Sequence, residues 1–223
     1  MTLFLDLDGP VLDTAARHFC VFRTIIERFD CSTSLQPGEY WALKRTGKSS
    51  ADLLEKHVVP KLDVNSFMNN WLREIESPES LKLDSLQPNA YETIGWLAKR
   101  FWLVMITLRQ SRLRLEEQLQ NLALNQFFRS ILCADPRIDS GWRSKSQLIS
   151  QHAFEKDAVI VGDTEIDVRA GKALDIATVA VSCGIRTAES LKKEEPDALI
   201  ENLVAIKDLN INALREKPRR PTR

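Results

Sequence analysis

The chain has 223 residues, 43% apolar and 28% charged, which suits a globular protein large enough for a core domain with an inserted module. Lysine plus arginine and aspartate plus glutamate stand at 31 each, so no whole-molecule field points to nucleic acid or an anionic membrane. Four scattered cysteines without a C-x-x-C pair suggest neither a zinc site nor a disulfide framework, and no apolar run reaches the ~18 residues of a bilayer span. With no basic n-region or cleavage pattern before the first apolar run, the expected location is the cytoplasm.

The first predicted strand, "LFLDL" (3–7), ends in two aspartates, Asp6 and Asp8, followed by Gly9 and Pro10. Residues 15–84 then carry helical patterns at 15–29, 49–59 and 64–75 without a convincing strand, and a Ser- and Pro-rich joint at 77–88. Beyond it, strands and helices alternate. A helix at 89–100 precedes the strand "WLVMIT" (102–107), and a helix at 112–124 precedes "SILCA" (130–134). A helix at 144–153 precedes "AVIVG" (158–162), and one at 165–174 precedes "ATVAVS" (177–182). Nearly continuous apolar strands between helices predict an α/β fold, a Rossmann-like parallel sheet covered on both faces. The predicted organisation is a core of residues 1–14 and 85–210, an inserted all-helical cap at 15–84, and a basic, disordered tail at 211–223.

Ligands of open parallel sheets bind beyond the carboxyl ends of the strands. There the sequence sets Asp6 and Asp8 after the first strand, Thr107 at the end of the second, and Asp163 after "AVIVG" with Asp167 four residues on. Lys145 opens the preceding helix. Each piece alone also fits chance or a solvated helix face; their order along the chain carries the signal. Crowded carboxylates need a cation, and Mg²⁺ binds through a few carboxylates while keeping waters and substrate oxygens. Such a set suits phosphoryl transfer, with one carboxylate as nucleophile and a second moving protons.

These residues carry a family resemblance. "DLDGPVLDT", "VMIT", "SKSQLI" and "VIVGDTEIDVRAGKALDIATVAVSCGI" resemble the four motifs of the haloacid dehalogenase superfamily, and "PDALIENLVAI" the close of its phosphoglycolate phosphatase-like branch. The resemblance implies a helical type 1 cap, Asp6 as the nucleophile that forms an aspartyl-phosphate, and Asp8 as general acid and base. It implies Mg²⁺ held by Asp6, the Asp8 carbonyl and Asp163, with Asp167 completing the shell, and phosphoryl oxygens held by Thr107 and Lys145. Dehalogenases of the superfamily lack an acid at the position of Asp8, so the implied activity is phosphatase or mutase. Pro10, where the family has Thr, and Leu108, where Asn often follows the motif Thr, are departures. A non-catalytic phospholigand-binding protein is the contrasting reading.

The expected substrate is a small phosphorylated metabolite, handled by a monomer or homodimer without nucleic acid or membrane. "LKRTGKSSADLL" (43–54) sits where such caps carry a specificity loop, which makes Lys44, Arg45 and Lys48 candidate substrate contacts, with Arg109 as a further one beside Thr107.

Overall fold

In the computed structural model of the chain, residues 1–133, 141–152 and 157–215 are described. The chain divides into two compact units, Met1–Leu12 with Leu86–Arg223, and Asp13–Ser85. Among the described residues no helix is long and apolar enough to cross a membrane.

The first unit is built on a parallel sheet. Its strands are β1 (Thr2–Leu5), β2 (Trp102–Thr107), β3 (Ser130–Cys133), β4 (Ala158–Gly162), β5 (Ala177–Val181) and β6 (Ala198–Ile200). They lie in the order β3-β2-β1-β4-β5-β6, each parallel to its neighbours. The chain winds outward from β1 to β3 and then returns to lay β4 on the other side of β1. That reversal is the topological switch point, where the strand ends diverge and leave a crevice. Leu5 pairs in register with Met105 of β2 and Val161 of β4, so the three strands deliver their carboxyl ends to the same edge of the sheet.

Successive side chains of a strand point to opposite faces, and here both faces are apolar. Leu3, Leu5, Met105, Val159, Val161 and Val179 pack with Ile94 and Leu97 of α6 (Ala90–Ala98) and Leu115 and Leu119 of α7 (Arg112–Asn121). On the other face Phe4, Val104, Ile106 and Ile160 pack with Ile149 of α8 (Trp142–Gln151) and Ala170 of α9 (Glu165–Ala173). Both layers fix β1 rigidly, and a Leu→Ala change there costs about 2–5 kcal/mol.

The second unit is a helical bundle of α1 (Ala15–Arg28), α2 (Pro37–Arg45), α3 (Ser50–His57), α4 (Val64–Glu74) and α5 (Pro78–Leu81). Phe19, Phe22, Ile25 and Ile26 recur on one face of α1 and pack with Tyr40, Leu53, Leu54 and Phe67. Ser32 and Val59 exchange both backbone hydrogen bonds in an isolated antiparallel bridge, so extended structure is present among the helices.

Several expectations are corrected here. Residues 37–45 form α2: Pro37 sits in its first turn, and Gln36 and Glu39 make a reciprocal capping box that holds the amino end. The joint at 77–88 is not a plain loop, because Ser77 caps α5 through the Ser80 N–H and Ser80 and Leu81 are buried. α10 (Ala188–Lys192) and β6 were not anticipated. The expected tail begins too early, since α11 (Ile211–Arg215) buries Ile211 and Leu214 in the core. Residues 216–223 of that tail, with Ala134 and Ala153 at the ends of their expected elements, lie outside the described residues.

Candidate active site

The carboxyl ends of β1, β2 and β4 bring the expected residues together. Asp6 comes directly after β1, and its N–H donates to the Val161 carbonyl at 2.9 Å, which extends the β1–β4 ladder to the base of the site. Asp163 comes directly after β4, and Asp167 lies in the first turn of α9. One oxygen each of Asp6, Asp163 and Asp167 lies within 4.8 Å of the others. All three side chains are buried, Asp163 completely.

Lys145, on α8 and 1% exposed, reaches this cluster. Its Nζ stands 3.0 Å from Asp6 Oδ1 and 2.5 Å from Asp167 Oδ1. The other oxygen of Asp167 caps α9, accepting from the Thr164 N–H at 3.0 Å and the Thr164 hydroxyl at 2.7 Å. Both Asp167 oxygens are therefore engaged by protein donors, and they aim Lys145 at Asp6. Asp163 Oδ2 accepts from the Ile185 N–H at 2.5 Å, whereas Asp163 Oδ1 is buried without a hydrogen-bond partner among the described residues.

Three carboxylates thus face one ammonium in a buried pocket, and their acidities shift accordingly. Burial pushes the Asp6 carboxyl up to about 7, against the opposing pull of Lys145, and the charges of Asp167 and Asp8 add to the rise. Burial, then the charges of Asp6 and Asp167, hold Asp163 well above the usual carboxylate range. For Lys145, burial disfavours the ammonium, but Asp167 and Asp6 outweigh it and raise its pKa. The cluster is short of positive charge. A divalent cation fits it on two observations: the excess of buried carboxylates, and the orphaned Asp163 Oδ1 turned toward no donor among the described residues.

Backbone geometry leaves room for Asp163. A Cβ on Gly9 or on Gly184 would stand 2.0 Å from Asp163 Oδ2. Gly9 also has a φ of +103°, a backbone shape that only glycine adopts freely. Pro10 sits next in a turn closed by the N–H groups of Gly9, Val11 and Leu12, which donate to the carbonyls of Leu12, Leu7 and Leu7. That turn takes no donor from position 10, so the N–H that Pro10 lacks is not one of its hydrogen bonds.

Thr107 ends β2 and is buried, and its Oγ1 accepts from the Arg109 N–H at 3.3 Å. Leu108 contributes no polar group. Asp8 is not in the carboxylate cluster: its two oxygens accept from Arg109 Nε and Nη2, each at 2.6 Å. Arg109, 4% exposed, is held in turn by Gln118 of α7 at 3.3 Å.

Lys44, Arg45 and Lys48 belong to the other unit. The expectation of a loop is corrected for the first two, which occupy the last turn of α2. Lys44 Nζ lies 5.3 Å from the Trp71 ring centroid, so a Trp face is one of its contacts. Lys48 is exposed in the turn at Gly47, where φ is +84°.

Sequence reasoning missed Gln118, the Ile185 N–H and the Gly184 contact. It also missed a fork from Arg186 to Glu165, 2.7 and 2.8 Å, at the start of α9. The glycine shortly after β5 in "SCGIR" was the legible signal, since a glycine at a strand end marks a close approach.

A family model described as haloacid dehalogenase-like hydrolase matches residues 3–181. The chain belongs to the haloacid dehalogenase-like hydrolases. This hydrolase is 24% identical over 207 residues to the pyrophosphatase PpaX of Oceanobacillus iheyensis, covering 91% of this chain and 92% of that one. It is 20% identical over 216 residues to the phosphoglycolate phosphatase of Nitrosococcus oceani, covering 93% and 95%. Among solved structures, the haloacid dehalogenase-like family protein SP0104 from Streptococcus pneumoniae superposes with a TM-score of 0.77 at 17% identity, covering 93% of this hydrolase and 96% of that chain.

Proposed function

We propose that this hydrolase is a Mg²⁺-dependent phosphatase that removes phosphate from a small phosphorylated metabolite through an intermediate on Asp6. The observation that carries the reading is the buried cluster of Asp6, Asp163 and Asp167 around the Lys145 ammonium, with the Thr107 hydroxyl at the same switch point of the sheet. The phosphatases and pyrophosphatase among the relatives support it. Asp6 and Asp163, with the Asp8 carbonyl and Asp167, would hold the ion. When bound, Mg²⁺ supplies positive charge that draws electron density from the phosphoryl oxygens.

The chain's own groups account for the rest. An oxygen of Asp6 attacks phosphorus, and the bond to the leaving oxygen breaks as Asp8 gives that oxygen a proton. Asp8, now ionised, takes a proton from water, which attacks the phosphoryl group and frees Asp6 and inorganic phosphate. Thr107 and Lys145 donate to the phosphoryl oxygens, where the transition-state charge is spread. The apolar strands beneath keep these donors from reorganising.

The test is hydrolysis of an aryl phosphate by the purified chain. Turnover is expected with Mg²⁺, none with EDTA, and a loss of at least about 10³-fold in kcat for Asp6→Asn with an unchanged circular dichroism spectrum. Robust metal-free turnover, or a near-normal Asp6→Asn enzyme, would overturn the reading.

A further inference from the structure

The loop after β5 carries the donor that fixes Asp163. It is anchored at both ends: the Ser182 N–H donates to the Ile200 carbonyl at 2.9 Å, and the Thr187 hydroxyl accepts from the Ser190 N–H at 3.2 Å. Between the anchors Gly184 lies against the Asp163 carboxyl, and the Ile185 N–H reaches Asp163 Oδ2. One oxygen of Asp163 is thereby engaged by the protein. The other, Oδ1, is the one without a hydrogen-bond partner among the described residues.

The next residue closes this arrangement. Arg186 forks onto Glu165 of α9, with Nε 2.7 Å from Oε2 and Nη2 2.8 Å from Oε1, and its Nη1 donates to the Ile185 carbonyl at 3.3 Å. Glu165 lies two residues beyond Asp163. Asp163, Thr164, Glu165, Arg186 and Ile185 therefore form a ring, closed on one side by the Ile185 hydrogen bond and on the other by the fork. A bidentate pair sets an angle as well as a distance, so it orients the loop and does not merely tether it. Both side chains are partly exposed, 20% and 30%, and such a pair adds little to the stability of a fold. Its place in the ring gives it leverage on Asp163.

A small hard cation is sensitive to that leverage, because its ligand oxygens must stand close to ideal positions. Groups that orient a ligand from behind commonly carry about 10- to 100-fold in metal affinity.

We propose that Arg186 and Glu165 are positioning residues for the metal site: the fork holds the loop so that the Ile185 N–H engages Asp163 Oδ2 and Oδ1 is presented to Mg²⁺. The inference rests on the phosphatase reading above. A second fork on α9 supplies the comparison. Arg169 binds Glu194 through the same two nitrogens at 2.8 and 2.6 Å, yet it ties the helix to the segment after α10, outside the ring.

The experiment titrates Mg²⁺ alone into the purified chain and follows the rise in melting temperature. In parallel it measures the Mg²⁺ concentration for half-maximal hydrolysis of an aryl phosphate. The variants are Arg186→Met, Arg186→Lys, Glu165→Gln, the double change Arg186→Met with Glu165→Gln, and Arg169→Met. An ion that binds the folded chain stabilises it according to its concentration over its Kd, so a weaker site needs proportionally more Mg²⁺ for the same rise. Arg186→Met and Glu165→Gln are each expected to need about 10-fold more Mg²⁺ in both measurements. The double variant should need no more than the worse single one, since both act through one contact. Arg186→Lys should restore part of the affinity by returning the charge without the fork. At saturating Mg²⁺ the KM for the aryl phosphate should stay within about 2-fold of wild type, and Arg169→Met should keep the wild-type Mg²⁺ requirement throughout.

A purely structural fork would lower the melting temperature of the Mg²⁺-free chain and leave both Mg²⁺ requirements unchanged. That result overturns the inference and leaves the phosphatase reading intact, as does a shift in turnover without one in melting. An equal shift in Arg169→Met also overturns it, because any loosening of α9 would then suffice. If Arg186→Met does not fold, Arg186→Lys and Glu165→Gln decide. A wild type that neither responds to Mg²⁺ in melting nor turns over any phosphate overturns both.

Discussion

Each unit of the molecule buries a cation against carboxylate, and the two do so differently. In the helical unit Arg17 Nε meets Asp84 Oδ1 at 3.0 Å with both side chains almost fully buried, and Arg17 Nη1 donates to the Ile75 carbonyl at 3.4 Å. The pair ties α1 to the segment after α5. In the sheet unit Lys145 answers Asp6 and Asp167 while Asp163 crowds the same space. Burial is similar, and in the sheet unit three carboxylates share the space around one ammonium. A buried pair within a bundle is part of the architecture, whereas an excess of buried carboxylates stores an electrostatic demand that a ligand can meet.

The contrast is open to direct attack. Lys145→Met should have the largest effect, lowering kcat/KM on an aryl phosphate by at least about 10³-fold and destabilising the fold by about 3–5 kcal/mol in urea melts. A Lys145→Met enzyme with ordinary turnover would reduce the cluster to another structural pair. Arg17→Met should cost about 3–5 kcal/mol by taking the guanidinium from the buried Asp84, and the double change Arg17→Met with Asp84→Leu should recover most of it. A double variant as unstable as the single one would show that the helical pair holds more than its own charge. Smallest is the effect of Lys44→Ala, Arg45→Ala or Lys48→Ala, expected to shift the ratio of kcat/KM between a phosphorylated metabolite and an aryl phosphate by about 2- to 5-fold each. Unchanged ratios would leave these three cations to α2 and its turn.

The core was legible where one rule governed it. Continuous apolar runs between helices predicted β2 and β4 to the residue, because a strand buried on both faces has no polar positions to blur its ends. Asp6, Thr107 and Asp163 were legible as strand-end residues, and Lys145 and Asp167 as members of the quoted motifs. The pairing of Asp8 with Arg109 was not, because it spans 101 residues and depends on Gln118 of a third element to hold the guanidinium. Reading Arg109 as a candidate substrate contact overlooked its burial and its pairing with a protein carboxylate. α2 was missed because its start is set by Pro37 in the first turn and by Glu39 closing the cap with Gln36, not by an apolar repeat. α11 was missed because basic, Pro-rich composition further on coloured the five residues before it.

The order of the strands also governs when the site can come into being. β1 holds Asp6 from the start of the chain, yet its neighbour β4 begins at Ala158, and the N–H that squares Asp6 against the sheet waits for the Val161 carbonyl. A chain made from its amino end has β1 with one side uncovered until more than two thirds of its length exists. Contacts of such long sequence separation form slowly, because the intervening loop must close first. The carboxylates therefore gather only as the central strands join, and a ribosome-bound chain released before Gly184 would carry the nucleophile without the full set of groups that surround Asp163.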